Sequence, residues 1–290
     1  MSIDSARVSA LLLICAGVLW GTGGIAGDLL QSAGGLSAVA VAAYRLLVGG
    51  LVATVAVGRM LRQLRGAVVW RRLVVTGILL AEFQVAYQIS VERISVSLAT
   101  LITIGCVPVF VAGVTAVRDR RLPSRQVLAA LAASLVGLGL LCGAPDVGGD
   151  TVRTVVGVVT ALAAGAGFAA LTLVAARPVA AQGATVSVGL LLGGLLLTPF
   201  ALGYGMVPVL TVDTVALIGY LGIVPTALAY GAYFLGLRRA GATAAALSTM
   251  LEPLTATVLA VLFHGERMTV AGVVGAVLIG GSLIATGRTT

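Results

Sequence analysis

Ten apolar runs follow one another along this chain with short polar connectors between them, at roughly residues 8–29, 36–57, 73–90, 95–117, 126–143, 153–175, 184–204, 212–236, 240–263 and 269–287. A helix needs about 20 residues to cross the hydrocarbon core of a bilayer, and each run is about that long. The strands of a membrane barrel would be shorter and would alternate apolar with polar residues, which these runs do not. Composition points the same way. Hydrophobic residues make up 59% of the 290 residues and charged residues 10%, with a mean hydropathy of +1.13, whereas a soluble domain carries about 25% charged residues. The expected fold is an all-α membrane protein with ten transmembrane helices. Glycine and alanine are abundant in the runs, so neighbouring helices can approach closely. Residues 8–27 are too long for the apolar core of a signal peptide and end in no clear A-x-A site, so they are read as a retained first span.

The net charge of +8 does not point to nucleic acid, because the 18 basic residues, all arginine, gather at the ends of apolar runs. Their placement encodes topology. With the N-terminus inside, 14 arginines fall on the cytoplasmic side: Arg7, Arg59, Arg62, Arg65, Arg71, Arg72, Arg118, Arg120, Arg121, Arg125, Arg177, Arg238, Arg239 and Arg288. Only Arg93, Arg153 and Arg267 fall outside, and Arg45 lies within a span. Positive charge accumulates on the cytoplasmic side of membrane proteins. The expectation is a multi-pass protein of the cell membrane with both termini in the cytoplasm. Cys15, Cys106 and Cys142 lie inside apolar runs without metal-binding spacing and are read as small packing residues; no metal and no cofactor is expected.

A shift of about half the length brings landmarks into coincidence. "VGGLVA" at 48–53 falls on "LGGLLL" at 192–197, "VPVFVAGV" at 107–114 on "EPLTATVL" at 252–259, and "WGTGGIA" at 20–26 on "GAGFAAL" at 165–171. Two five-helix halves follow, residues 1–145 and 146–290. Five is odd, so the second half enters the membrane from the opposite side and the repeats are inverted. Such repeats are a common transporter architecture, with the substrate site near the midplane between the halves. One chain carries both halves of the inverted pair, so a monomer is expected.

Trp20 and Gly21 of the first span, Tyr44 and Arg45 of the second, and the ending "LEPLTATVLAVLFHGERMTVAGVVGAVLIGGSLI" at 251–284 resemble the EamA-domain branch of the drug/metabolite transporter superfamily. The most specific part is Glu252-Pro253 followed by Gly265-Glu266. The resemblance covers nearly the whole chain and implies ten helices, inverted repeats and export of small metabolites, often amino acids. The first half departs from the pattern: Val107-Pro108 stands where Glu-Pro is common, and Arg120-Arg121 where Gly-Glu is expected. Any role of the family's acidic residues must rest here on the second half, or on Glu82.

A charge at mid-helix costs about 2.5–3.5 kcal/mol on insertion scales, so each one needs a reason. Arg45, Glu82 and Glu252 lie at similar depth by residue count, and Arg45 is expected to pair with Glu252 first and Glu82 second, as a structural ion pair or as a coupling site. Direct contact of Glu252 with substrate or proton is the other reading. Pro108 and Pro253 each deprive a carbonyl, that of Ile104 and of Thr249, of its helical partner. Such carbonyls survive at membrane depth where protein or a water-filled cavity satisfies them. Two helices bent at these prolines and facing one another across a central cavity are therefore expected. Glu82 starts a polar-aromatic stretch with Gln84, Tyr87 and Gln88, read either as interhelical hydrogen bonding or as cavity lining. A carboxylate there suits an ammonium group or proton exchange. The expected cavity comprises Trp20, Glu82, Gln84, Tyr87, Thr103, Tyr230 and Thr249, with Phe168 a weaker candidate that mirrors Trp20.

The function expected is secondary export of small polar or amphipathic metabolites by alternating access, amino acids foremost, with proton coupling as one driving force. No P-loop is present for direct coupling to ATP. The expected partners are a small-molecule substrate and the lipid bilayer, not nucleic acid. An uncoupled facilitator or channel is the alternative. An intramembrane enzyme is more remote, because His264, the only histidine, has no nucleophile or metal cluster around it in the sequence.

Overall fold

The structure is a computed structural model that describes residues 3–142, 151–264 and 269–287, and among these every regular element is helical. Span one is α1 (Ile3–Gly21) and α2 (Gly23–Gly34), joined at Thr22. Spans two to five are α3 (Ala38–Ala56), α4 (Ala67–Arg93), α5 (Val96–Asp119) and α6 (Arg125–Cys142), with a 3-10 turn (Gly58–Gln63) before α4. Spans six and seven are α7 (Thr151–Ala176) and α8 (Gln182–Gly203). Span eight is α9 (Val212–Gly222), a π-helical segment (Ile223–Leu228) and α10 (Ala229–Ala240). Span nine is split into α11 (Ala242–Ser248) and α12 (Leu251–His264), and span ten is α13 (Val270–Gly287). Nine of these spans are long and apolar enough to cross a bilayer, and Val270–Ala285 is a shorter apolar helix. Gly265 and Glu266 of the sequence signature, with Arg267 and Arg288 of the charge pattern, lie outside the described residues.

Local chemistry sets the ends. Ser37 Oγ accepts the Ala40 N–H at 3.2 Å, Ser95 Oγ that of Leu98 at 3.2 Å, and Thr211 Oγ1 that of Thr214 at 3.1 Å. Each hydroxyl satisfies one of the donors that the first turn of a helix leaves open, here at the starts of α3, α5 and α9. Gly35 closes α2 in the left-handed region at φ 64°, where glycine carries no Cβ penalty.

The two halves interlock. Helix α3 packs on α8, α6 on α13, α4 on α7 and α8, and α5 on α7. Exchanging the halves gives their counterparts: α10 on α1, α9 and the π segment on α3, and α12 on α1. This is the arrangement of two inverted five-helix repeats. The α3–α8 contact is close because Gly50 and Gly194 sit in it, 144 positions apart. A Cβ on Gly50 would meet the backbone of Leu191, and one on Gly194 would stand 2.7 Å from the backbone nitrogen of Leu47. The antiparallel pair α4 and α7 is tied at both ends. Arg72, early in α4, donates to the carbonyls of Val174 and Arg177 at the end of α7. Arg153, early in α7, donates to the carbonyls of Arg93 at 3.1 Å and Glu92 at 2.9 Å, at the end of α4. Each arginine fills carbonyls that a helix C-terminus leaves without partners.

Candidate functional site

The spans of both repeats enclose a cavity of about 80 Å³. Span one contributes Trp20, span two Arg45, and span three Phe83, Gln84 and Tyr87. Span four contributes Thr100 and Ile104, span six Phe168, span eight Tyr230, and span nine Thr249 and Glu252. One side is a wall of rings. Trp20 stands edge-on to Phe168 at 5.8 Å and to Tyr230 at 5.3 Å, and Phe83 meets Phe168 at 5.2 Å. Behind them, Tyr233 is fully buried, its hydroxyl 2.8 Å from that of Thr172. Edge-to-face contacts of this kind fix the rings in place. Trp20 is 5% exposed, and its indole Nε1 is buried with no hydrogen-bond partner. A buried donor is ordinarily satisfied, so this one is an unmet donor on a residue of the cavity wall.

The polar side carries one cation and one carboxylate. Arg45 Nε donates to Thr226 Oγ1 at 3.2 Å, and Nη2 donates to the Pro225 carbonyl at 3.3 Å, both within the π segment of span eight. Glu252 lies in the first turn of α12. The expected contact pairing of Arg45 with Glu252 or Glu82 is not formed: among the described residues the one ion pair is the exposed Arg118–Asp119, at 2.8 Å. Similar depth by residue count does not set direction. The Arg45 side chain turns to span eight, where a distorted backbone offers acceptors. Arg45 and Glu252 thus face the same cavity without an ion-pair contact. Tyr44 points elsewhere and donates to the Met206 carbonyl at 3.1 Å, tying α3 to the segment after α8.

Of the residues expected from the sequence, Trp20, Gln84, Tyr87, Tyr230 and Thr249 line the cavity, and Phe168 joins them. Glu82 and Thr103 do not. Residues 83, 84 and 87 share the cavity side of α4, whereas Glu82 packs against Gly167 of α7, where an added Cβ would collide with its Oε2. That oxygen is buried without a hydrogen-bond partner. Thr103 is fully buried and donates to the Ala161 carbonyl at 3.2 Å. One turn earlier, Thr100 takes the expected place, its hydroxyl 2.8 Å from that of Tyr87.

The two prolines sit differently in their helices. Helix α5 continues as helix through Pro108. In span nine the interruption is a turn at Thr249–Met250, and Pro253 falls in the first turn of α12, where its missing N–H leaves no helical bond unmade. The Thr249 carbonyl still has a partner, the Glu252 N–H at 3.0 Å. Neither proline lines the cavity, yet the residues four positions before them, Ile104 and Thr249, both do. The distortion that sequence reasoning missed is at Pro225, a proline in the middle of an apolar run and therefore legible.

Comparison with known proteins agrees with the architecture. The profile of the EamA-like transporter family matches residues 7–142 and again 155–288. The chain is 28% identical over 278 residues to "Uncharacterized transporter YwfM" of Bacillus subtilis (strain 168), covering 94% of this chain and 91% of that one. It is 26% identical over 294 residues to "Uncharacterized inner membrane transporter YicL" of Salmonella typhimurium (strain LT2), covering 97% and 96%. A solved crystal structure shares the fold with a TM-score of 0.81 at 20% identity, over 96% of this chain and 95% of the other.

Proposed function

This chain belongs to the EamA-like transporter family, and from that we propose that its central cavity carries small zwitterionic metabolites, amino acids foremost, out of the cytoplasm by alternating access. It is a multi-pass membrane transporter. The observation that carries the finer reading is the separation of Arg45 and Glu252 on one aromatic-walled cavity. Two opposite charges at membrane depth are expensive unless each has a partner. A solute bearing a carboxylate and an ammonium supplies both at once. Arg45 keeps N–H donors for the carboxylate, Glu252 takes the ammonium, the rings take an apolar side chain, and Trp20 Nε1 gains an acceptor. A cavity of about 80 Å³ is well below the roughly 300–1,000 Å³ of drug-sized sites, so the solute is small and the halves part to admit it. Proton exchange at Glu252 supplies the coupling. The chain acts as a monomer with both termini in the cytoplasm.

Counterflow in proteoliposomes tests this. A panel of amino acids, amines and organic acids is offered against internal solute, with and without an imposed proton gradient. Zwitterions are expected to exchange, faster with the gradient; exchange confined to anions or to cations contradicts the zwitterion site. Rates indifferent to the gradient identify an uncoupled facilitator instead. Labelling of introduced cysteines is expected to reach position 33 from outside and positions 59–66 only from inside.

A further inference from the structure

Pro225 has no N–H to give to the carbonyl four residues back, that of Leu221. The chain responds in two ways. The helix widens to π turns over Ile223–Leu228, and Thr226 Oγ1 donates to the Leu221 carbonyl at 2.8 Å. The same hydroxyl oxygen accepts from Arg45 Nε. Thr226 is fully buried, and its methyl group lies against α3, where a Cβ on Gly49 would stand 2.5 Å from Thr226 Cγ2. With the methyl wedged there and the proton committed to Leu221, the oxygen is held with its lone pairs free to accept, and it accepts from Arg45 Nε.

A guanidinium is flat, with five donors in a rigid fork. Two bonds on one edge, Nε to Thr226 and Nη2 to Pro225, fix the plane and so the aim of the remaining donors. We propose that Thr226 is a positioning residue for the transported solute: the π turn at Pro225 places its hydroxyl so that Arg45 presents its free edge to a solute carboxylate. Isolated π turns inside helices frequently occur at functional sites. Without the Thr226 bond the guanidinium is held only through Nη2 at Pro225, and the ordering it then undergoes on binding weakens the contact. The inference rests on Arg45 as the carboxylate subsite.

The test uses purified full-length protein in lipid nanodiscs. Among the twenty common amino acids, the one that raises the thermal midpoint most is titrated beside its amide, which lacks the carboxylate. Four proteins are compared: the parent, Thr226→Val, Thr226→Ser and Arg45→Gln. Thr226→Val is expected to weaken binding of the amino acid about tenfold, the value of one hydrogen bond to a charged group, and to leave the amide unchanged. Thr226→Ser keeps the hydroxyl and is expected to restore amino-acid binding. If Thr226→Val binds the amino acid like the parent while Arg45→Gln does not, positioning is overturned and the carboxylate subsite stands. Equal weakening toward acid and amide, with no rescue by serine, marks Thr226 as a fold residue only and also overturns the proposal. If Arg45→Gln binds like the parent, or no amino acid shifts the midpoint, the subsite itself is wrong and the inference falls with it.

Discussion

Spans three and eight hold equivalent places in the two repeats and are built differently. Thr226 stands 144 positions after Glu82, Gly167 the same distance after Gly23, and Gly193 the same distance after Gly49. In span three, α4 runs unbroken from Ala67 to Arg93, and its mid-span polar group is a carboxyl whose Oε2 is buried against Gly167 with no partner. In span eight the helix is opened by Pro225, and the polar group at the equivalent position is a hydroxyl that donates to Leu221 and accepts from Arg45. Gly23, in the place of Gly167, faces Pro225 at 3.3 Å and the Arg45 guanidinium at 3.9 Å from a notional Cβ. Where the backbone is distorted, the freed carbonyl, the hydroxyl and the cation satisfy one another. Where it stays regular, a polar oxygen is left over. The duplicated scaffold makes the cavity, and the departures from symmetry equip it.

The largest effect expected from this contrast is on packing. A Cβ on Gly49 would stand 2.6 Å from the Gly222 carbonyl oxygen, whereas one on Gly193, its counterpart, would stand 3.2 Å from that of Gly77. Gly49→Ala is expected to cost about 3 kcal/mol and Gly193→Ala less than about 1.5 kcal/mol. Monodisperse protein recovered from membranes reads the difference, and equal recovery of the two would break the contrast.

Next come the two polar positions themselves, where the signs should be opposite. Thr226→Val removes the bonds to the Leu221 carbonyl and to Arg45 Nε and is expected to destabilise by about 1–3 kcal/mol. Glu82→Met removes a buried acceptor that has no partner and keeps the length of the side chain, so it is expected to stabilise by about 1 kcal/mol. Thermal midpoints in the same lipid decide it; shifts of the same sign would mean that Glu82 is satisfied in the membrane after all. The smallest effect concerns Trp20, whose Nε1 has no hydrogen-bond partner among the described residues. Trp20→Phe is expected to weaken solute binding about fivefold, the worth of one neutral hydrogen bond. Unaltered binding would remove the indole N–H from the site.

The helical layout could be read from sequence because bilayer thickness and apolar length act on whole segments and tolerate errors of several residues at each end. Trp20, Tyr87, Tyr230 and Thr249 could be read because polar and aromatic groups at mid-depth are scarce. Which side of a helix a residue faces was harder. One position turns a helix by about 100°, so Glu82 and Phe83 part company, and Thr100 and Thr103 trade roles within one turn. The partner of Arg45 was not legible, because it is a carbonyl and a hydroxyl presented by a π turn, and no residue-type rule places backbone acceptors. Pro225 gave the clue that a turn of that kind was there.

The central claim is that Arg45 and Glu252 read the two ends of one zwitterion, and a charge-matched binding series tests it most directly. An amino acid, its decarboxylated amine and its deaminated acid are titrated against the parent, Arg45→Gln and Glu252→Gln in nanodiscs. The parent is expected to prefer the amino acid, Arg45→Gln the amine, and Glu252→Gln the acid. One order of preference shared by all three proteins would contradict it.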